Sequence, residues 1–178
     1  MKNFKIVLTE EQIQKRVVEL GKEISRDYAG KKPIVVCMLK GAIVFFADIV
    51  RNLDLPIYME FARLSSYRNG TTSGDLEVIV DISPDIEGKD IIIIEDVVDS
   101  GKTLSYFIQL LKKKNPASVK ICAFLDKPER RTVDIDVDYV GFKINCGFVI
   151  GYGLDYAERY RELPYLAEVT SIDELNEE

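Results

Sequence analysis

Glu95, Asp96 and Asp99 lie almost side by side, and the last of them opens the turn Ser100, Gly101, Lys102 and Thr103. Carboxylates accept hydrogen bonds and attract divalent metal. A small, hydroxyl-rich turn that starts a helix directs backbone amides at phosphate. The pattern describes a receiver for a phosphorylated sugar, with Glu95 and Asp96 facing ribose hydroxyls and Ser100 to Thr103 facing a phosphate. An ATPase P-loop is excluded, because it needs glycine five residues before the Gly-Lys-Thr, where this chain has Asp96. An ordinary buried strand and capped turn would account for the apolar run and the Ser-Gly, but not for three carboxylates bracketing them.

The elements that must position these groups are legible around them. Ile91 to Ile94 form an unbroken apolar run suited to a strand covered on both faces, as in a parallel sheet. Open α/β sheets bind ligands beyond the carboxyl ends of their strands, which is where Glu95 and Asp96 fall. A helix is expected from Lys102 to about Lys114. Upstream, Thr9 and Gln12 form a capping box, and Ile13, Val17, Leu20 and Ile24 recur at helical spacing, so residues 10–28 read as an amphipathic helix. Ile34 to Leu39 is a buried strand; Lys40-Gly41 then turns into an apolar helix ending near Leu53. Pro56 to Leu64 and Leu76 to Val80 read as strands flanking a long polar loop, and Val119 to Leu125 as a further buried strand. Tyr139 to Phe142 and Phe148 to Gly151 are shorter candidates that look like an appended hood, and Leu154 to Arg161 reads as a short helix or turn. Strands alternating with helices predict an α/β fold with a mostly parallel, Rossmann-like sheet.

The bulk composition narrows the chemistry. With 178 residues and 47% hydrophobic content, residues 1–178 read as one domain carrying a flap. The net charge of −6 argues against a nucleic-acid partner. No apolar run is long enough to span a bilayer and the N-terminus has no secretory pattern, so no membrane partner and a cytoplasmic location are expected. Cys37, Cys122 and Cys146 lie in or beside apolar segments without C-x-x-C spacing and read as reduced structural residues. There is no histidine, which removes imidazole acid/base chemistry and leaves proton transfer to carboxylate, lysine, tyrosine or cysteine.

The segment from Ile91 to Leu104 resembles the phosphoribosyl pyrophosphate motif of the type I phosphoribosyltransferases, and three further segments, in family order, extend the match to the hypoxanthine-guanine (6-oxopurine) members. That resemblance implies the type I phosphoribosyltransferase fold, with a hood built from the chain ends and a lid loop at about 65–75. Leu39, Lys40 and Gly41 are similar to a loop that binds pyrophosphate through a non-proline cis peptide before the lysine. Ser66 and Tyr67 resemble the closing lid. Lys127, in the D-K-P context, matches a lysine that donates to the purine O6. Phe148 matches a residue that stacks on the base and Val149 one that offers it backbone hydrogen bonds; Asp155 matches a Mg²⁺ ligand, with Glu95 and Asp96 as further metal candidates, and Arg161 meets pyrophosphate. Asp99 corresponds to the aspartate that exchanges a proton with purine N7. The implied reaction is phosphoribosyl transfer from phosphoribosyl pyrophosphate to a 6-oxopurine base, releasing pyrophosphate with Mg²⁺ as cofactor, in a homodimer or homotetramer. A regulator that keeps this fold to sense nucleotide would show a basic stripe or a damaged Asp99; the chain shows neither. A same-fold enzyme acting on xanthine, guanine or a pyrimidine is the other alternative, and the lysine and the aromatic favour purine.

Overall fold

The computed structural model describes residues 4–66, 76–80, 82, 85–145 and 147–169. Strand β1 (Lys5–Leu8) leads to helix α1 (Glu10–Asp27). The capping box closes as expected: Gln12 N donates to Thr9 Oγ1 at 3.3 Å, and Thr9 N donates to Gln12 Oε1 at 2.9 Å. Ile13, Val17, Leu20 and Ile24 are all buried on one face of α1.

Strand β2 (Ile34–Met38) then turns at Lys40-Gly41 into helix α2 (Ile43–Arg51). Strands β3 (Tyr58–Ser66) and β4 (Leu76–Val80) pair antiparallel. Strand β5 (Asp90–Val98) leads to helix α3 (Lys102–Lys112), and β6 (Ser118–Asp126) is followed by a short 3₁₀ turn, Pro128–Arg130. Strands β7 (Tyr139–Lys143), β8 (Val149–Ile150) and β9 (Leu166–Glu168) complete the set.

Two sheets result. The larger has the order β4-β3-β2-β5-β6-β7, and every neighbour pair from β3 to β7 is parallel. Ile91 to Ile94 lie at its centre with no exposed surface, the burial on both faces that their unbroken run implied. The smaller sheet, β1-β9-β8, is antiparallel and joins the two ends of the described chain into the expected hood.

The expectation for Tyr139 to Phe142 is corrected: this segment joins the main sheet as its edge strand, parallel to β6, with Cys122 opposite Tyr139 and Leu125 opposite Phe142. The Phe142 ring packs edge-on to Phe124 at 5.9 Å, so apolar contact with the core decides the strand's place. Its shortness imitates a hood strand, and the crossover before it contains no α-helix, only the 3₁₀ turn Pro128–Arg130. The Leu154 to Arg161 segment resolves as turns and isolated bridges, and positive φ at Ala157, Glu158 and Tyr160 breaks any helix.

Candidate active site

Parallel order brings the carboxyl ends of β2, β5 and β6 to one edge of the sheet, and the candidate residues meet there. β5 and β6 stay paired to their last residues, Val97 with Leu125 and Val98 with Asp126, and Lys127 N then donates to Val98 O at 3.0 Å. That register sets Lys127 beside the start of the Asp99 turn. On the other side of β5, the Leu39-Lys40 peptide is cis, as the resemblance implied. The Lys40-Gly41 turn packs so tightly on Asp96 that a Cβ on Gly41 would lie 1.6 Å from Asp96 Oδ2 and 2.5 Å from its Cγ. Only glycine leaves room for that contact.

Glu95 and Asp96 form a crowded acidic pair. Asp96 N donates to Glu95 Oε1 at 3.1 Å, and Val97 N donates to Asp96 Oδ1 at 2.7 Å. Burial, followed by the charge of Asp96, pushes the Glu95 carboxyl well above its ordinary range. The same desolvation, with the two carboxylates next in weight, pushes the Cys37 thiol up to about 12, which keeps it protonated and inert. Crowded carboxyl oxygens of this kind suit hydroxyl donors or a hard cation; among the described residues no three carboxylates come together as a ready-made metal cluster, and Asp155 lies apart, paired with Arg161.

Gly101, with φ of 79°, caps α3 and lets the turn double back. Ser100 Oγ accepts from Lys102 N at 3.4 Å, and the first amides of α3 open toward the turn. Thr132 N donates to Ser100 O at 3.1 Å, tying the turn to the segment after β6.

Above Asp99 lies a cavity of about 290 Å³ lined by Val97, Asp99, Lys127, Arg130, Gly147, Phe148, Val149 and Leu154. Larger hollows lie at the opposite end of the sheet and along α3, away from the carboxylate pair. Lys127 is 7% exposed and its Nζ donates to Gly147 O at 2.9 Å, so the side chain is turned into the crevice rather than out to solvent. Phe148 lines the cavity and remains 47% exposed, its ring nearly perpendicular to that of Tyr156 with 6.0 Å between centroids.

The third cluster forms where the hood meets the Lys40-Gly41 turn. Arg161 pairs with Asp155 at 2.8 Å and donates to Gly153 O at 2.7 Å. Glu158 N donates to Asp155 Oδ2 at 2.9 Å, and the Glu158 carboxylate pairs with Lys40 at 2.8 Å. Lys40, Asp155 and Arg161, widely separated in sequence, therefore share one neighbourhood. Of the lid residues, Ser66 ends β3 opposite Leu76, whereas Tyr67 and residues 68–75 lie outside the described residues.

The phosphoribosyl transferase domain family matches residues 4–157. The hypoxanthine-guanine phosphoribosyltransferase of Bacillus subtilis (strain 168) is 48% identical over 163 residues, 91% of each chain. The chain belongs to the hypoxanthine-guanine phosphoribosyltransferase family. The bifunctional protein TilS/HprT of Listeria monocytogenes serotype 4b is 47% identical over 91% of this chain; the match covers 25% of that relative, so the chain spans about a quarter of its length. A solved hypoxanthine-guanine phosphoribosyltransferase structure from Bacillus anthracis aligns with a TM-score of 0.88 at 40% identity, over 95% of this chain and 99% of that chain.

Two residues of this candidate site were not singled out from the sequence. Arg130 Nη1 donates to Asp99 Oδ2 at 3.0 Å and lines the cavity. Its signal was available: a 3₁₀ turn repeats every three residues, so Arg130 returns to the side of Lys127. Glu158 had no such signal, because its partner Lys40 is 118 residues away.

Proposed function

We propose that the chain transfers the 5-phosphoribosyl group of phosphoribosyl pyrophosphate to hypoxanthine, and also to guanine, giving the purine nucleotide and pyrophosphate in a purine salvage reaction. One observation carries this reading: Asp99, Lys127 and the exposed Phe148 line a single cavity, and Asp99 directly follows the strand that carries the Glu95–Asp96 pair and opens the turn into α3.

In this reaction purine N9 bonds to C1 of the ribose while the C1–oxygen bond to pyrophosphate breaks. Positive charge builds on the sugar ring, as in glycoside cleavage, and the Glu95–Asp96 pair beneath it is suited to accept the ribose hydroxyls and tolerate that charge. Ser100 to Thr103 hold the 5′-phosphate. Lys127 donates to the oxygen at purine C6; a donor-only ammonium rejects an amino group there, so adenine is disfavoured. Phe148 stacks on the base and Val149 offers it backbone hydrogen bonds. Asp99 takes the N7 proton, the carboxylate role that a chain without histidine must use. Lys40, Gly41 and Arg161 receive the departing pyrophosphate, which must displace the Glu158 and Asp155 carboxylates from those cations. Asp155, with Glu95 and Asp96, would hold magnesium, which when bound would supply charge neutralisation for the leaving pyrophosphate. Ser66 and Tyr67 belong to the lid in this reading.

We place the enzyme in the cytoplasm, in keeping with the buried, unpaired thiols of Cys37 and Cys122. Among the described residues, no helix is long and apolar enough to cross a membrane. A homodimer or homotetramer is in keeping with the exposed apolar side chains of Tyr58, Met59 and Phe61 on β3. The deciding experiment is pyrophosphate release from phosphoribosyl pyrophosphate and Mg²⁺ against hypoxanthine, guanine, xanthine, adenine and uracil. Release with the 6-oxopurines and not with adenine or uracil is expected; release with none of the bases rejects the activity.

A further inference from the structure

Asp48 is a carboxylate without a place in the chemistry above, yet it sits 9% exposed in the middle of α2. Burying a charge there is costly unless donors surround it, and they do. Tyr152 Oη donates to Asp48 Oδ2 at 2.6 Å and Gln14 Nε2 donates to the same oxygen at 2.8 Å, while Arg51 pairs with Oδ1. Tyr152 is itself 2% exposed, its ring packed on Phe124 at 4.8 Å and Phe45 at 6.4 Å.

The backbone around Tyr152 explains why a directional bond is used here. Gly151, Tyr152 and Gly153 run through φ values of 99°, 50° and 100°. A bulky residue in the left-handed region is held there only by its surroundings. The next residue is the point of contact between the two halves of the pyrophosphate-facing cluster. A Cβ on Gly153 would lie 2.0 Å from Gly41 O, and Gly153 O holds the Arg161 guanidinium. The helix carrying Asp48 starts two residues after Gly41. The Asp48–Tyr152 bond therefore ties the element that presents Lys40 and Gly41 to the segment that presents Asp155 and Arg161. An apolar contact of equal area would stabilise as well or better but would not fix the register of one segment on the other.

We infer that Asp48 and Tyr152 are positioning residues that set the Gly151–Gly153 segment against the Lys40-Gly41 turn and so assemble the pyrophosphate half of the site. This rests on the phosphoribosyltransferase reading of that cluster. The test titrates the full chain and its Tyr152→Phe, Asp48→Asn and Asp48→Leu variants by calorimetry. The ligands are pyrophosphate with Mg²⁺ and, separately, inosine monophosphate; each variant's melting temperature is recorded. Loosening a positioned group costs rate and affinity steeply, so Tyr152→Phe and Asp48→Leu are expected to weaken pyrophosphate about five-fold or more and inosine monophosphate less than about two-fold. Asp48→Asn keeps an oxygen for Tyr152 Oη and should bind pyrophosphate nearly as the parent does. A lower melting temperature with unchanged pyrophosphate affinity in Tyr152→Phe would reduce the pair to an ordinary core hydrogen bond, and equal losses for both ligands would also overturn the inference. A parent chain that binds inosine monophosphate but no pyrophosphate would overturn the assignment of the cluster, and the positioning role with it.

Discussion

Gly41→Ala is the sharpest single-atom test of the site. The added methyl would lie 1.6 Å from Asp96 Oδ2 and 2.5 Å from Asp96 Cγ, inside the 3.0 Å that real Cβ contacts essentially never breach. Gly41 is not among the glycines with positive φ, so alanine meets no backbone penalty and the conflict falls on the carboxylate. To escape, the carboxylate must retreat by roughly 1.5 Å, and displacement of a positioned group by about 1 Å costs on the order of 100-fold in rate. The retreat also gives up the 2.7 Å bond from Val97 N, and a hydrogen bond to a charged group is worth about 1.5–3 kcal/mol. The two effects overlap, since the same displacement breaks the bond, so a loss of about 100-fold in kcat/KM for phosphoribosyl pyrophosphate is expected. Steady-state pyrophosphate release with saturating hypoxanthine measures it, and thermal denaturation checks the fold, which should change little because Asp96 lies at the open end of the sheet. If kcat/KM stays within about three-fold of the parent, Asp96 does not hold the ribose and the carboxylate reading fails.

Asp99→Asn should lower turnover by about 100-fold or more, the usual scale for a lost general base, while inosine monophosphate still binds; turnover equal to the parent would take Asp99 out of the chemistry. Lys127→Met keeps most of the apolar stem but removes the donor, and the preference for hypoxanthine over adenine, as a ratio of kcat/KM values, should shrink by roughly 10- to 100-fold. An unaltered ratio would contradict O6 recognition by Lys127. Away from the site, the hydrogen bond from Ser118, aided by Lys31, holds Asp90 below the ordinary carboxylate range. A depressed folded-state value means that its stabilisation is present above the unfolded value and is lost as pH falls through the folded one. Asp90→Asn should therefore flatten the acid limb of the melting-temperature profile, and an acid limb as steep as the parent's would show that Asp90 contributes nothing to it.

Local spacing carried much of this molecule. The isoleucine run could be satisfied only by burial on both faces, the Thr9–Gln12 box placed a helix start, and Asp99 to Thr103 described a turn that opens a helix, because each follows from geometry within one element. The family resemblance then supplied positions such as Lys40, Lys127 and Asp155, whose local context is compatible with several roles. Strand placement was less legible: Tyr139 to Lys143 carries the same short apolar signal whether it caps a hood or extends a sheet, and the packing of Phe142 on Phe124 selects the sheet.

What tertiary structure alone decided is which charges face one another. Lys40 meets Glu158 and Tyr152 meets Asp48 across more than a hundred residues. Spacing in the chain says nothing about such pairs, because they depend on strand order and on the hood folding back over the sheet. A residue type announces what a side chain can donate or accept; the order of parallel strands determines what stands within reach of it.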